Sequence, residues 1–203
     1  MFNWWLDQPC YPWKGVPARK ATWVWEEATP ELSLHRFDLA PREVIQHWYR
    51  DRLRFKPAVV TWADKLAKKY KVDFDRTVGV SWRGCDNVVD GRRRVAVEDY
   101  FPTLDHILKD GGLRILSMPE EATVTERLQQ RYPQVFAMGE FFTAPWGYDG
   151  QSFALNQAPG YSKGFETCAM ILLLSRCRHY VHNEANLSVI VGNLSRGNVV
   201  QVK

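Results

Sequence analysis

From residue 77 onward, short apolar runs alternate with longer stretches whose apolar positions recur at helical spacing. Residues 77–82 (TVGVSW) predict a buried strand. Residues 97–109 predict a helix with Val97, Tyr100, Phe101, Leu104 and Leu108 facing inward, ended by Gly111 and Gly112. A second strand is expected over 113–117 (LRILS), a helix over 121–131 and a third strand over 135–138. A loop rich in Gly, Pro and aromatic residues covers 143–162. A mostly apolar helix follows over 163–177, then a fourth strand over 179–182 (HYVH), a helix over 186–195 and a fifth strand over 199–202.

Upstream the pattern differs. Residues 1–40 are rich in Trp and Pro and keep no sustained period. Pro12, Pro17 and Pro30 interrupt any helix there. Residues 41–54 open with Pro41 and place Val44, Ile45 and Trp48 on one helical face. Residues 57–70 open with Pro57 and place Val59, Ala63, Leu66 and Tyr70 on another. The chain therefore divides into an appendage with connector helices, 1–72, and a strand–helix domain, 73–203. Single helices between strands imply a parallel sheet with right-handed crossovers. Five such strands, apolar on both faces, predict a doubly wound, mostly parallel, Rossmann-like α/β domain. Ligands of such sheets sit beyond the carboxyl ends of the strands, at a topological switch point.

Composition adds bounds. The 203 residues suffice for one large domain or one domain with an appendage. The longest apolar run, around 169–174, is too short to span a bilayer. Residues 1–7 lack a basic segment followed by an apolar stretch, so a cytoplasmic protein is expected. Cys10, Cys85, Cys168 and Cys177 have neither a CxxC pair nor metal-ligand spacing and are read as reduced structural thiols. A net charge of +4 permits an anionic ligand without indicating a nucleic-acid coat, and the basic residues of 4–54 are interleaved with acids. No glycine-rich phosphate loop, HxxxH, DxD or GxSxG arrangement is present, so no metal site or cofactor is expected.

Three strand ends carry candidate chemistry. After the first strand stand Ser81, Arg83, Gly84 and Asp86, with Asp90 beyond. An arginine there can aim its fork of donors at phosphate oxygens. Asp86 could brace it, and Gly84 could let a ligand approach the backbone; a solvated Arg–Asp surface loop fits the same residues. After the second strand, Glu120 and Glu121 suit either a ribose or base, or the positive end of a helix dipole. After the fourth, Asn186, Leu187 and Ser188 open a helix whose free N–H groups suit an anion, unless Asn186 is simply an N-cap. The run Arg92, Arg93, Arg94 is read as a solvated loop, and His179 and His182 as packed or half-exposed strand residues.

In order and spacing these segments resemble the fucosyltransferase group that includes nodulation protein Z and the α1,6-fucosyltransferases. Residues 78–86 (VGVSWRGCD) resemble that family's strand followed by His-x-Arg-Arg-x-Asp. Residues 116–133 (LSMPEEATVTERLQQRYP) resemble its strand, paired acids and helix ending in Tyr-Pro. Residues 163–188 resemble its helix, turn, strand and serine-containing helix start, and Phe55, Lys56 and Pro57 its connector; the likeness covers roughly 42–203. It implies a GT-B C-terminal-type domain that takes a GDP-sugar, GDP-fucose, without a metal.

By the same resemblance Arg83 grips the donor phosphates, Asp86 closes the motif and Glu120 and Glu121 lie near the nucleoside. Residues 185–188 would meet the diphosphate, and Asp90 is the nearest acid to the position of the catalytic base. Ser81 stands where the family has histidine, Gly84 where it has a second arginine, and Met170 where many relatives have aspartate. The expected activity is inverting transfer of fucose to a carbohydrate or other hydroxyl acceptor. The chain lacks room for a full N-terminal Rossmann domain, so a second copy or a partner domain would complete the cleft. The alternative is a shortened, non-catalytic module that binds a nucleotide or glycan.

Overall fold

A computed structural model describes residues 42–84, 95–144, 160–183 and 185–202. The expected N-terminal segment up to residue 41, Cys85, Asp86, Asp90, the arginine run 92–94 and most of the 143–162 loop lie outside the described residues. The chain forms two compact units, Met1–Lys56 and Pro57–Lys203. In the first, helix α1 (Arg42–Arg52) buries Ile45 and Tyr49, four residues apart on one face. His47 and Asp51 pair at 2.9 Å on its exposed side.

The second unit opens with helix α2 (Pro57–Lys69), which buries Val59, Ala63, Leu66 and Ala67. A short 3₁₀ turn leads into β1 (Thr77–Ser81). Another 3₁₀ turn, Val97–Tyr100, runs into α3 (Phe101–Leu108), and β2 (Arg114–Ser117) follows. The remaining order is α4 (Ala122–Arg131), β3 (Val135–Phe136), α5 (Gly160–Arg176), β4 (His179–His182), α6 (Asn186–Leu194) and β5 (Asn198–Gln201). Gly111 and Gly112 both adopt positive φ (72° and 66°), where residues with a Cβ are strained, and so stop the helix before β2.

The five strands form one parallel sheet in the order β3-β2-β1-β4-β5. This is the doubly wound α/β architecture expected from the alternation. The chain builds outward from β1 to β3, then returns through α5 and continues on the other side as β4 and β5. The reversal puts the switch point between β1 and β4.

Every residue of β1 is buried. On one face Val78, Val80, Ile115, Val135 and Val181 pack with Val97, Tyr100, Leu104 and Ile107, with Val124 and Leu128 of α4, and with Tyr132 just beyond it. On the other face α5 crosses so close over β1 that a Cβ at Gly79 would meet Leu174 Cδ2 at 2.9 Å and Cys177 Sγ at 3.1 Å. Both α2 and α6 pack against α5. Burial on both faces explains why these strands read as apolar runs rather than as alternations.

Candidate functional site

The backbone ladder between β1 and β4 ends at the pair Ser81–His182. Beyond it, the side chain of Asn183 takes over. Its Oδ1 accepts the Arg83 N–H at 2.8 Å, and its Nδ2 donates to the Arg83 carbonyl. One amide side chain thus supplies the acceptor and donor that a neighbouring peptide would otherwise provide. The Tyr100 hydroxyl shares its proton between the Ser81 carbonyl (2.9 Å) and Asn183 Oδ1 (3.1 Å).

A chain of hydroxyls runs beneath this clamp. Ser81 Oγ and the Tyr180 hydroxyl lie 2.6 Å apart; Tyr180 donates to Ser188 Oγ at 3.2 Å, and Ser188 donates to the Asn183 carbonyl at 3.1 Å. Ser81, Asn183 and Ser188 are all buried. Buried polar groups that satisfy one another specify a single arrangement. Here they join the exit of β1, the exit of β4 and the first turn of α6. Burial pushes the Tyr180 hydroxyl up to about 12 and the Tyr100 hydroxyl well above its ordinary range, so both stay protonated donors.

Helix α6 begins at Ala185, which is extended and offers no side-chain cap. Asn186 is therefore the first helical residue and not the N-cap. The Ser188 hydroxyl is engaged by the network, which leaves the backbone N–H groups of this turn as its donors for an anion. Ser81 likewise serves the scaffold with its hydroxyl.

The Arg83 side chain pairs with an acid beyond β2. Its Nε lies 3.7 Å from Glu120 Oε1 at the end of β2, with each side chain 29% exposed. Glu120 is itself held by its N–H, which donates to the Trp82 carbonyl at 3.0 Å. Glu121 is buried at the extended start of α4 and bridges to Ala144. The structure therefore gathers Ser81, Arg83, Glu120, Glu121, Leu187 and Ser188 at one edge of the sheet. The backbone of Arg83 is joined through Asn183 to the α6 turn, while its side chain lies against Glu120.

Gly84 has a reason within the fold that the sequence did not show. A Cβ there would stand 1.9 Å from Trp82 Cη2. The Trp82 ring folds over this position, and its closeness alone requires glycine. Sequence reasoning also passed over Asn183, Tyr100 and Tyr180. Asn183 carries a visible signal: a polar residue directly after a buried strand and before a helix must find partners among neighbouring strand ends.

His179 and His182 are both buried. His182 stacks on the Tyr180 ring at 4.9 Å, with Nδ1 2.9 Å from the Asn183 carbonyl. Burial lowers the pKa of both imidazoles below the ordinary 6.5. The folded chain then binds fewer protons than the unfolded chain as pH falls through that ordinary value, so acid favours unfolding. We predict a falling urea midpoint between about pH 7.5 and about pH 5.5, with a smaller fall in H182Q. Equal midpoints at both pH values would contradict the neutral, buried imidazoles.

Among the described residues, no group of three or more His, Cys, Asp or Glu side chains is placed to hold a metal ion. No described helix is long and apolar enough to cross a membrane. Solved structures share this fold. NodZ alpha-1,6-fucosyltransferase soaked with GDP-fucose matches with a TM-score of 0.56 at 13% identity, over 93% of this chain and 66% of that one.

The fold is that of solved fucosyltransferases. POFUT1 in complex with GDP matches with a TM-score of 0.51 at 11% identity, over 93% of this chain and 59% of that chain. A mutant of Arabidopsis thaliana FUT1 in complex with GDP matches with a TM-score of 0.51 at 11% identity, over 83% and 38%. The chain thus spans 38% to 66% of the length of these fucosyltransferases. No protein-family model matches the sequence, and no curated protein does. At this identity the fucosyltransferase likeness is one of backbone architecture.

Proposed function

We propose that this chain binds a GDP-sugar at the carboxyl edge of its sheet and transfers the sugar, fucose, to a hydroxyl acceptor with inversion. The observation that carries the reading is the Asn183 clamp. It joins the backbone of a permanently charged arginine to the uncapped amino end of a helix, at the switch point of a doubly wound sheet. Fold neighbours solved with GDP or GDP-fucose support the choice of nucleotide.

In this reading Arg83 and the backbone N–H groups of Asn186, Leu187 and Ser188 stabilise the charge that builds on the departing diphosphate. Glu120 holds the guanidinium at the sheet edge until the phosphates compete for the same fork of donors. Glu121 lies on the nucleoside side. Asp86 closes the motif, and Asp90 is the proposed base that takes the acceptor's proton. A second copy or a partner domain supplies the rest of the acceptor cleft.

Arg83→Ala tests the donor role. GDP affinity, measured by titration calorimetry, is expected to fall by about 100-fold or more. The unfolding midpoint should barely move, because a partly exposed ion pair contributes at most about 1 kcal/mol. Unchanged GDP affinity would reject the assignment. A second reading, a binding module without turnover, is favoured by Gly84 standing where the resembled motif has its second arginine. Incubation with GDP-fucose and mixed acceptors separates the two, since binding without turnover at high protein concentration identifies the module.

A further inference from the structure

We infer that Asn183 is a positioning residue for the anion site, acting through Arg83 and α6 together. This inference rests on the donor reading above. Asn183 is 1% exposed, and its polar groups reach three other parts of the fold. Its side-chain amide holds both backbone groups of Arg83, one hundred residues earlier in the chain. Its Oδ1 also receives the Tyr100 hydroxyl, from the turn before α3. Its own carbonyl accepts from Ser188 Oγ in the first turn of α6 and lies 2.9 Å from His182 Nδ1.

The physical consequence is a shared frame. Arg83 stands just past the end of its strand, where the ladder has stopped, and a residue there swings freely unless something else fixes its backbone. Asn183 fixes it to the same point that fixes α6. With the backbone of Arg83 and the first turn of α6 tied to one residue, only the Arg83 side chain has to leave Glu120 to meet a diphosphate at that turn, and this fixed frame is the preorganisation such a site needs. Aspartate at 183 has nearly the same shape but turns an oxygen toward the Arg83 carbonyl, so two acceptors face each other and the clamp opens.

The experiment is a double-mutant cycle on GDP binding by titration calorimetry, with the full chain. Asn183→Asp and Asn183→Ala are expected to weaken GDP at least about tenfold in the wild-type background and by a clearly smaller factor in Arg83→Ala, where only the part exerted through α6 remains to be lost. Tyr100→Phe, which keeps the core volume and removes one partner of the amide, is the milder variant and should weaken GDP by a smaller factor in the same non-additive way. Thermal unfolding of each variant verifies that it is folded, and Tyr100→Phe decides if the Asn183 variants are not. Variants that bind GDP as the wild type does would overturn the positioning role alone. So would an equal loss in both backgrounds, which would mean that Asn183 acts independently of Arg83. A wild-type chain that fails to bind GDP would end the donor reading, and the positioning role with it.

Discussion

Replacing Gly84 with alanine is expected to destabilise the sheet domain by about 3 kcal/mol, the upper end of ordinary overpacking. The new methyl would lie 1.9 Å from Trp82 Cη2 and 2.3 Å from Cζ2. The ring has little freedom to yield. It is 3% exposed within the core, and its indole N–H donates to the Val95 carbonyl at 2.9 Å. Moving it would break that bond and open a void against Tyr100 and Val97 in the same core. Urea unfolding of the wild type and G84A measures the cost. In a Trp82→Ala background the same substitution should cost far less, because its clash partner is gone. A G84A variant as stable as the wild type would mean that the ring is not seated over the glycine.

The second large effect lies on the opposite face of the sheet. Leu174→Ala is expected to cost about 2–5 kcal/mol. Leu174 is fully buried in α5, and its Cδ2 sits where a Cβ on Gly79 would be met at 2.9 Å. Truncating it leaves a void directly over the central strand. The sign of a second substitution provides the check. Gly79→Ala should destabilise the wild type, where Leu174 and the Cys177 sulfur crowd the site. In Leu174→Ala the same methyl should recover part of the loss by filling the space. Destabilisation of similar size in both backgrounds would show that α5 does not press on β1 through this side chain.

The strand and helix pattern was legible because burial on both faces leaves a strong local trace. Four of the five predicted strands end within a residue of the observed β1, β2, β4 and β5. The third was read two residues too long, since Ala137 and Met138 are apolar without pairing in the ladder. The helix read over 97–109 begins as a 3₁₀ turn, with Pro102 at the start of the α-helix proper. Apolar spacing does not distinguish these two helical forms over a single turn.

The candidate site was only partly legible. Arg83, the two acids and the α6 turn could be singled out because strand ends of doubly wound sheets are where ligands sit, and those residue types suit an anion. The direction of the Arg83 guanidinium, toward Glu120, was not legible, nor was the use of the Ser81 and Ser188 hydroxyls inside the protein. Those depend on which strands are neighbours.

The sequence by itself determined the alternation of elements, the two-sided burial of the central strands β1, β2 and β4, and the glycines that stop the third helix. Each of these follows from residues close together in the chain. Tertiary structure alone decided that β4 lies beside β1, that Asn183 completes the ladder for Arg83, and that Trp82 occupies the space over Gly84. The reason is physical: a hydrogen bond or a ring contact between residues far apart in sequence leaves no periodicity behind, and it exists only once the sheet has chosen its strand order.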